Sequence, residues 1–253
     1  MVPLPEPSGA LQKPRWFSRA GQMMSTVLDF IYPPLHPCPG CGLPDVYQKP
    51  ETIGLCDACY AAFPWTEPHQ LPPKVWIPAH YETSARKLVT CLKYHDAQYL
   101  VPLMAAAMAA QIRERLKEAD ATEGVSGEDW VILPVPLHRQ RQRKRGYNQS
   151  DLLARHLAFV LEFSYESAGL KRCRPTAPLY RLSRAERQQA LAGSMVLNPE
   201  AVPKLRGKQL LLVDDIYTTG ATINACEQAL QAANPAMVTV AAFALADLDS
   251  HRV

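Results

Sequence analysis

Apolar residues along this chain alternate between unbroken aliphatic runs and a helical period, and the order of the two predicts an α/β protein. Three runs read as buried strands: 130–136, 210–213 and 237–245. The first, Trp130-Val-Ile-Leu-Pro-Val-Pro136, reads as a short strand broken by Pro134, because a proline cannot donate to a ladder. Helical spacing appears over 85–92, 100–117, 151–163 and 222–233, with Leu152, Leu153, His156, Leu157 and Val160 sharing one face of the third. Strand, helix and strand in that order imply a parallel sheet with right-handed crossovers. Residues 16–32 have a weaker helical period, which Pro33 and Pro34 stop. Five prolines over 64–78 read as a connector, and residues 176–198 have no clear period. The chain divides into a tail and short helix (1–35), a cysteine module with its connector (36–75) and an α/β domain (76–253).

A chain of 253 residues with 47% hydrophobic content can fill one α/β core and a small accessory module. The formal net charge of +3 points to no partner by itself. Its distribution is more telling: residues 118–129 carry acid without base, and residues 138–145 carry base without acid. No apolar run approaches the ~18 residues of a membrane span, and no secretory signal pattern opens the chain, so a cytoplasmic protein is expected.

Four of the seven cysteines form two C-x-x-C pairs, Cys38/Cys41 and Cys56/Cys59, separated by 14 residues. Each pair offers two thiolates from one tight turn, and two such knuckles close a tetrahedral zinc site. A redox pair would need only one C-x-x-C, and an odd cysteine count argues against a disulfide framework. Four thiolates leave no open coordination position, so the zinc is expected to be structural. Cys91, Cys173 and Cys226 read as ordinary thiols, and His156 as a core residue.

The chemistry concentrates at Leu210-Leu-Leu-Val-Asp-Asp-Ile-Tyr-Thr-Thr-Gly-Ala-Thr222. In an open α/β sheet, ligands lie beyond the carboxyl ends of the strands, where Asp214, Asp215 and the turn 217–222 fall. The turn offers N–H groups and hydroxyls to a phosphate at the start of a helix, while the carboxylates accept from hydroxyls and repel phosphate. A ligand with a vicinal diol and a phosphate, such as a ribose 5-phosphate, satisfies both. A magnesium-holding ATPase strand would need G-x-x-x-x-G-K-[ST], which the chain lacks. A helix cap needs only one Asp, and a second adjacent carboxylate adds repulsion.

Val213-Asp-Asp-Ile-Tyr-Thr-Thr-Gly-Ala-Thr222 resembles the phosphoribosyl pyrophosphate (PRPP) signature of type I phosphoribosyltransferases. With Leu133-Pro-Val-Pro136, Arg145-Gly-Tyr-Asn-Gln149 and the upstream knuckles, the chain from about Cys38 onward resembles the ComF/GntX family. The resemblance implies a type I phosphoribosyltransferase-like parallel sheet flanked by helices and preceded by a small zinc-knuckle module. It implies that Asp214 and Asp215 hold the ribose hydroxyls and that Tyr217, Thr218, Thr219, Gly220, Ala221 and Thr222 form the 5-phosphate loop. Pro134, Val135 and Lys93 complete the PRPP site, and Arg145 joins the two aspartates as a catalytic residue facing the departing pyrophosphate, with Mg2+. Lys93 also fits a helix lysine that snorkels to solvent. Arg139, Arg141, Arg143 and Lys144 fit a solvated loop or a nucleic-acid backbone contact.

One family segment differs. Where relatives carry Pro-Gln-x-x-Leu-(x)4-Arg-x-x-Asn, this chain has Leu179 and Ala190 at the Gln and Asn positions. The expected function is transfer of phosphoribosyl to a nitrogen acceptor with release of pyrophosphate, linked to DNA uptake in natural competence. The competing expectation is a non-catalytic PRPP- or nucleotide-responsive competence factor that contacts protein partners, such as a helicase, or single-stranded DNA.

Overall fold

The computed structural model of the chain describes residues 35–43, 46–47, 55–67, 71–123, 129–174 and 193–246. The helix expected over 16–32 and the departures at Leu179 and Ala190 lie outside the described residues. The strands in chain order are β1 Leu35–His36, β2 Val46–Tyr47, β3 Val75–Trp76, β4 Ala79–His80, β5 Trp130–Pro134, β6 Ser164–Tyr165, β7 Leu170–Arg172, β8 Met195–Leu197, β9 Gln209–Tyr217 and β10 Met237–Leu245. The helices are α1 Asp57–Ala61, α2 Thr83–Tyr94, α3 Val101–Glu123, α4 Arg139–Arg145, α5 Gln149–Leu161, α6 Val202–Leu205 and α7 Ala221–Leu230.

The main sheet runs β3-β10-β9-β5-β6 with β4 also on β10, and every pairing in it is parallel. Its central strands are buried on both faces, and the period of two along each strand divides the core. Ile132, Leu211, Val213, Ala241 and Phe243 pack on one side with Leu88, Leu92, Met104, Met108 and Leu157. Val131, Leu133, Leu210, Leu212, Val238 and Val240 pack on the other with Ile223, Cys226 and Leu230. The aliphatic runs lack polar alternation because neither face meets water.

The sheet has one switch point. From β5 the chain crosses to β6 on one side, and from β9 it crosses to β10 on the other. The crevice at such a point opens between the carboxyl ends of the two inner strands, here at Pro134 and Val213–Asp214.

Four local differences from sequence expectation have physical causes. Pro134 does not break β5: it pairs opposite Val213, and the Val135 N–H completes the contact to the Val213 carbonyl at 2.9 Å. The missing N–H of Pro134 falls beyond the end of the two-residue β6, where no ladder partner is lost. The basic run forms helix α4, capped by His138 and ended by Gly146 in the left-handed region at φ 87°. The proline-rich connector is stitched into the fold: Trp65 bridges Ala79, Thr66 N–H bonds the Pro78 carbonyl and His80 N–H the Pro64 carbonyl. On α5 the buried face centres on Leu153, Ala154, Leu157 and Ala158, leaving His156 half-buried.

No helix among the described residues is long and apolar enough to cross a membrane. Leu212 sits fully buried in the centre of the sheet. Leu212→Ala is expected to lower the unfolding free energy by about 2–5 kcal/mol in urea titration; a loss below about 1 kcal/mol would contradict the two-sided core.

Candidate functional site

Asp214 and Asp215 occupy the carboxyl end of β9, beside the crevice. Two adjacent carboxylates repel, so the fold must supply compensation, and it does so differently for each. Lys93, in the last turn of α2, places Nζ 2.6 Å from Asp215 Oδ2. The contact is an ion pair whose angles fall short of a directed hydrogen bond. Burial works against the Lys93 charge, but the Asp215 and Asp214 carboxylates outweigh it and hold the ammonium above its usual pKa. Removing one partner of such a buried pair strands the other charge, which typically costs about 3–5 kcal/mol. A lysine with this contact is not a snorkelling surface residue.

Asp214 is held through one oxygen. Its Oδ1 accepts from Ser150 Oγ at 2.8 Å and from the Asp215 N–H at 2.9 Å. Burial, with the Asp215 charge next, pushes its carboxyl up to about 7, against the opposing pull of Lys93 and Ser150. Asp214 retains partial solvent access at the crevice.

The Arg145–Gln149 motif is the clamp that gathers these parts. Tyr147 OH donates to the Leu92 carbonyl, and the Arg145 guanidinium lies 5.5 Å from the ring centre of Tyr94, so the motif grips the turn that carries Lys93. Arg145 also donates to Gln149 Oε1. Asn148 donates to the Val135 carbonyl at 3.0 Å and accepts from the Ser150 N–H, capping α5. Arg145 is half-buried, whereas Arg139, Arg141, Arg143 and Lys144 are exposed. Its described contacts run to Tyr94 and Gln149 rather than to the aspartates.

The loop after β9 turns at Gly220, which has φ 73° and begins α7. The left-handed φ favours glycine, and a Cβ there would meet Tyr217 OH at 2.6 Å and force the ring aside. Thr219 Oγ1 accepts from the Ala221 N–H at 3.4 Å, Thr218 is exposed, and Thr222 is half-buried at the helix start. The turn presents backbone N–H groups and hydroxyls at the positive end of a ten-residue helix. Pro134 and Val135 are buried on the facing strand end. The structure thus brings together Lys93, Pro134, Val135, Asp214, Asp215 and the loop 217–222.

Sequence reasoning missed Ser150, which the structure places on Asp214. An Asn-x-Ser pair just before a helical period is a capping signal, and Ser150 lies one residue past the recognised motif. Arg172 comes from the short antiparallel β7–β8 pair, which leaves no periodic signal. Burial, then the nearby Arg141, holds its guanidinium below the usual pKa, while the charges of Cys226 and Asp214 oppose the shift.

The four knuckle cysteines form a separate centre. Their sulfurs lie within 4.8 Å of one another, and Cys41 Sγ is 3.8 Å from Cys56 Sγ. A tetrahedron with Zn–S bonds of about 2.3 Å has S–S edges of roughly 3.8 Å, so the donor set fits zinc. Backbone N–H groups of Cys56 and Cys59 point at Cys38 Sγ and Cys56 Sγ, both at 3.4 Å, which stabilises thiolates. Burial raises the Cys38 thiol, but the backbone N–H groups of Cys56, Cys41 and Gly40 outweigh it and lower it to about 7. Lys87 on α2 donates to the Gly40 carbonyl at 2.9 Å, and Cys38, Leu55 and Phe63 share the core with Leu88 and Leu92. The centre is therefore packed against the helix that bears Lys93.

Residues 144–251 match the family model described as "Phosphoribosyl transferase domain". The DNA utilization protein YhgH of Shigella flexneri is 30% identical over 206 residues, 80% of this chain and 81% of that protein. Competence protein F of Haemophilus influenzae is 31% identical over 160 residues, covering 62% of this chain and 66% of that protein. Competence protein ComFC of Bacillus subtilis is 31% identical over 101 residues, 38% of this chain and 35% of that protein.

The raised pKa of Asp214 carries a stability cost with a defined sign. The unfolded carboxyl releases its proton near 3.8 and the folded one near 7, so between those values the folded chain holds more protons. Stability contributed by this group falls as pH rises through that window. Asp214→Asn is expected to raise the urea midpoint at pH 7.5 and to leave it almost unchanged at pH 4. A lower midpoint at pH 7.5 would contradict the assignment.

Proposed function

The chain belongs to the ComF/GntX family of phosphoribosyltransferase-like proteins, and from that premise we propose that it binds PRPP in the crevice between the ends of β5 and β9. The single observation that carries this is the pairing of two constrained carboxylates with a phosphate-type turn at the sheet's switch point. Asp214 and Asp215 hold the ribose 2- and 3-hydroxyls. Thr218, Thr219, Gly220, Ala221 and Thr222, with Tyr217 bracing the turn, hold the 5-phosphate. Lys93 and the strand end at Pro134 and Val135 close the pyrophosphate side.

In phosphoribosyl transfer the bond from C1 to pyrophosphate breaks as positive charge develops on the ring. The carboxylates orient the ring and favour that charge, while Lys93 and nearby basic groups stabilise the departing anion. Arg145 acts here chiefly by holding Tyr94 and so the Lys93 turn. Asp214 and Asp215 gather with no third metal-binding side chain among the described residues. Magnesium fits this site as a companion of the pyrophosphate, where it would neutralise the leaving group's charge. The acceptor is a nitrogen nucleophile.

We place residues 76–253 in the phosphoribosyltransferase-like unit and residues 36–75 in the zinc module with its connector, and we assign the protein to the cytoplasm. Cys38, Cys41, Cys56 and Cys59 hold one structural zinc. The names of the relatives support a setting in DNA utilization and competence, and in that setting the proposed partners are DNA-uptake proteins such as a helicase. Leu179 and Ala190 favour the second reading, a PRPP-responsive competence factor without turnover. The exposed basic helix α4 supports contact with single-stranded DNA in that role.

Titration calorimetry with PRPP and magnesium is expected to show binding to wild type and its loss in the Asp214→Asn/Asp215→Asn double variant. Absence of binding to wild type would overturn both readings. Pyrophosphate release with ammonia or a nucleobase selects transfer, and binding without release from any acceptor selects the factor. Purified protein is expected to carry one zinc per chain, lost in Cys56→Ser; a folded, zinc-free wild type prepared without chelator would contradict the four-thiolate site.

A further inference from the structure

Ser150 lies outside every phosphate-binding and acidic motif of the chain, yet it touches the centre of the site. It is buried at the start of α5, with its N–H on Asn148 Oδ1 and its Oγ 2.8 Å from Asp214 Oδ1. The same Oδ1 takes the Asp215 N–H at 2.9 Å, so its two in-plane lone pairs are both used. Among the described residues the hydrogen bonds of Asp214 all fall on Oδ1, and Oδ2 keeps solvent access. Asp214 therefore meets the crevice through one oxygen in one fixed orientation. The position of Ser150 is itself over-determined, because Asn148 ties it to the Val135 carbonyl on the opposite wall of the crevice.

We propose that Ser150 is a positioning residue that sets the hydroxyl specificity of the site, by saturating one Asp214 oxygen and leaving the other to accept from a single ribose hydroxyl. The inference rests on the assignment of the diol to Asp214 and Asp215. A carboxylate that is free to rotate offers either oxygen to several donors and tolerates the loss of one hydroxyl. A carboxylate locked through Oδ1 has one productive partner and discriminates against a ligand that lacks it, since the lost contact is a hydrogen bond to a charged acceptor. Ser150 touches Asp214, not the ligand, and acts only through that carboxylate.

The test uses the full chain and four probes: ribose 5-phosphate, its 2-deoxy and 3-deoxy forms, and inorganic phosphate, each titrated into wild type, Ser150→Ala and Ser150→Thr. Ser150→Ala is expected to weaken ribose 5-phosphate and one monodeoxy form by about tenfold. It is expected to leave the other monodeoxy form, which lacks the partner hydroxyl of Asp214, and inorganic phosphate unchanged. Ser150→Thr, which keeps the hydroxyl, is expected to restore the wild-type pattern. An equal loss on all three sugars would mean a general structural role and would overturn the inference, as would retention of wild-type selectivity in Ser150→Ala. Failure of wild type to bind any sugar phosphate would overturn the diol assignment itself, an outcome distinct from the other two.

Discussion

The ion pair between Lys93 and Asp215 is the contact on which the site depends. β9 delivers two neighbouring carboxylates to a largely enclosed place, which is electrostatically unfavourable unless a cation comes with them. The cation arrives from α2, a helix more than a hundred residues earlier in the chain. Everything that fixes the last turn of α2 therefore bears on the acidic pair. Tyr147 holds the Leu92 carbonyl, Arg145 covers Tyr94, and Lys87 reaches back to Gly40 in the knuckle. The cysteine centre packs against the same helix. It serves as part of the frame that keeps Lys93 in place as well as an accessory module.

This dependence explains why the conspicuous Arg-Gly-Tyr-Asn-Gln motif faces inward. Its residues touch the α2 turn, the end of β5 and, through Ser150, the end of β9. They join three elements that meet at the switch point of the sheet. Motifs of this kind look like ligand contacts in a sequence, because they are polar and sit beside a strand end. Here most of the polar groups are spent on the protein itself, which leaves Asp214, Asp215, Lys93 and the turn after β9 as the proposed ligand-facing groups.

How much was legible in advance follows from what each feature leaves in the sequence. β9 and β10 announced themselves through aliphatic runs, because a strand buried on both faces has no room for polar residues. The cysteine pairs were legible because metal geometry fixes their spacing. The acid pair and phosphate turn were legible because their chemistry restricts residue type at every position. Helix α4 was read as a loop because it is polar all round and only seven residues long, so it carries no apolar face. The antiparallel β7–β8 pair is formed by three-residue strands, too short to show a period. Ser150 acts through a tertiary contact that no local pattern encodes, and the Lys93–Asp215 pair spans a distance in sequence that periodicity cannot bridge.

The dual role of Lys93, as neutraliser of the acidic pair and as part of the proposed anionic ligand's site, holds the site together. Its most direct test is the PRPP affinity of Lys93→Met in the presence of magnesium, measured by calorimetry beside a thermal melt of the same sample. A folded variant that binds PRPP about tenfold or more weakly than wild type is predicted, since two uncompensated carboxylates then face an anion. A folded variant with wild-type affinity would contradict the account.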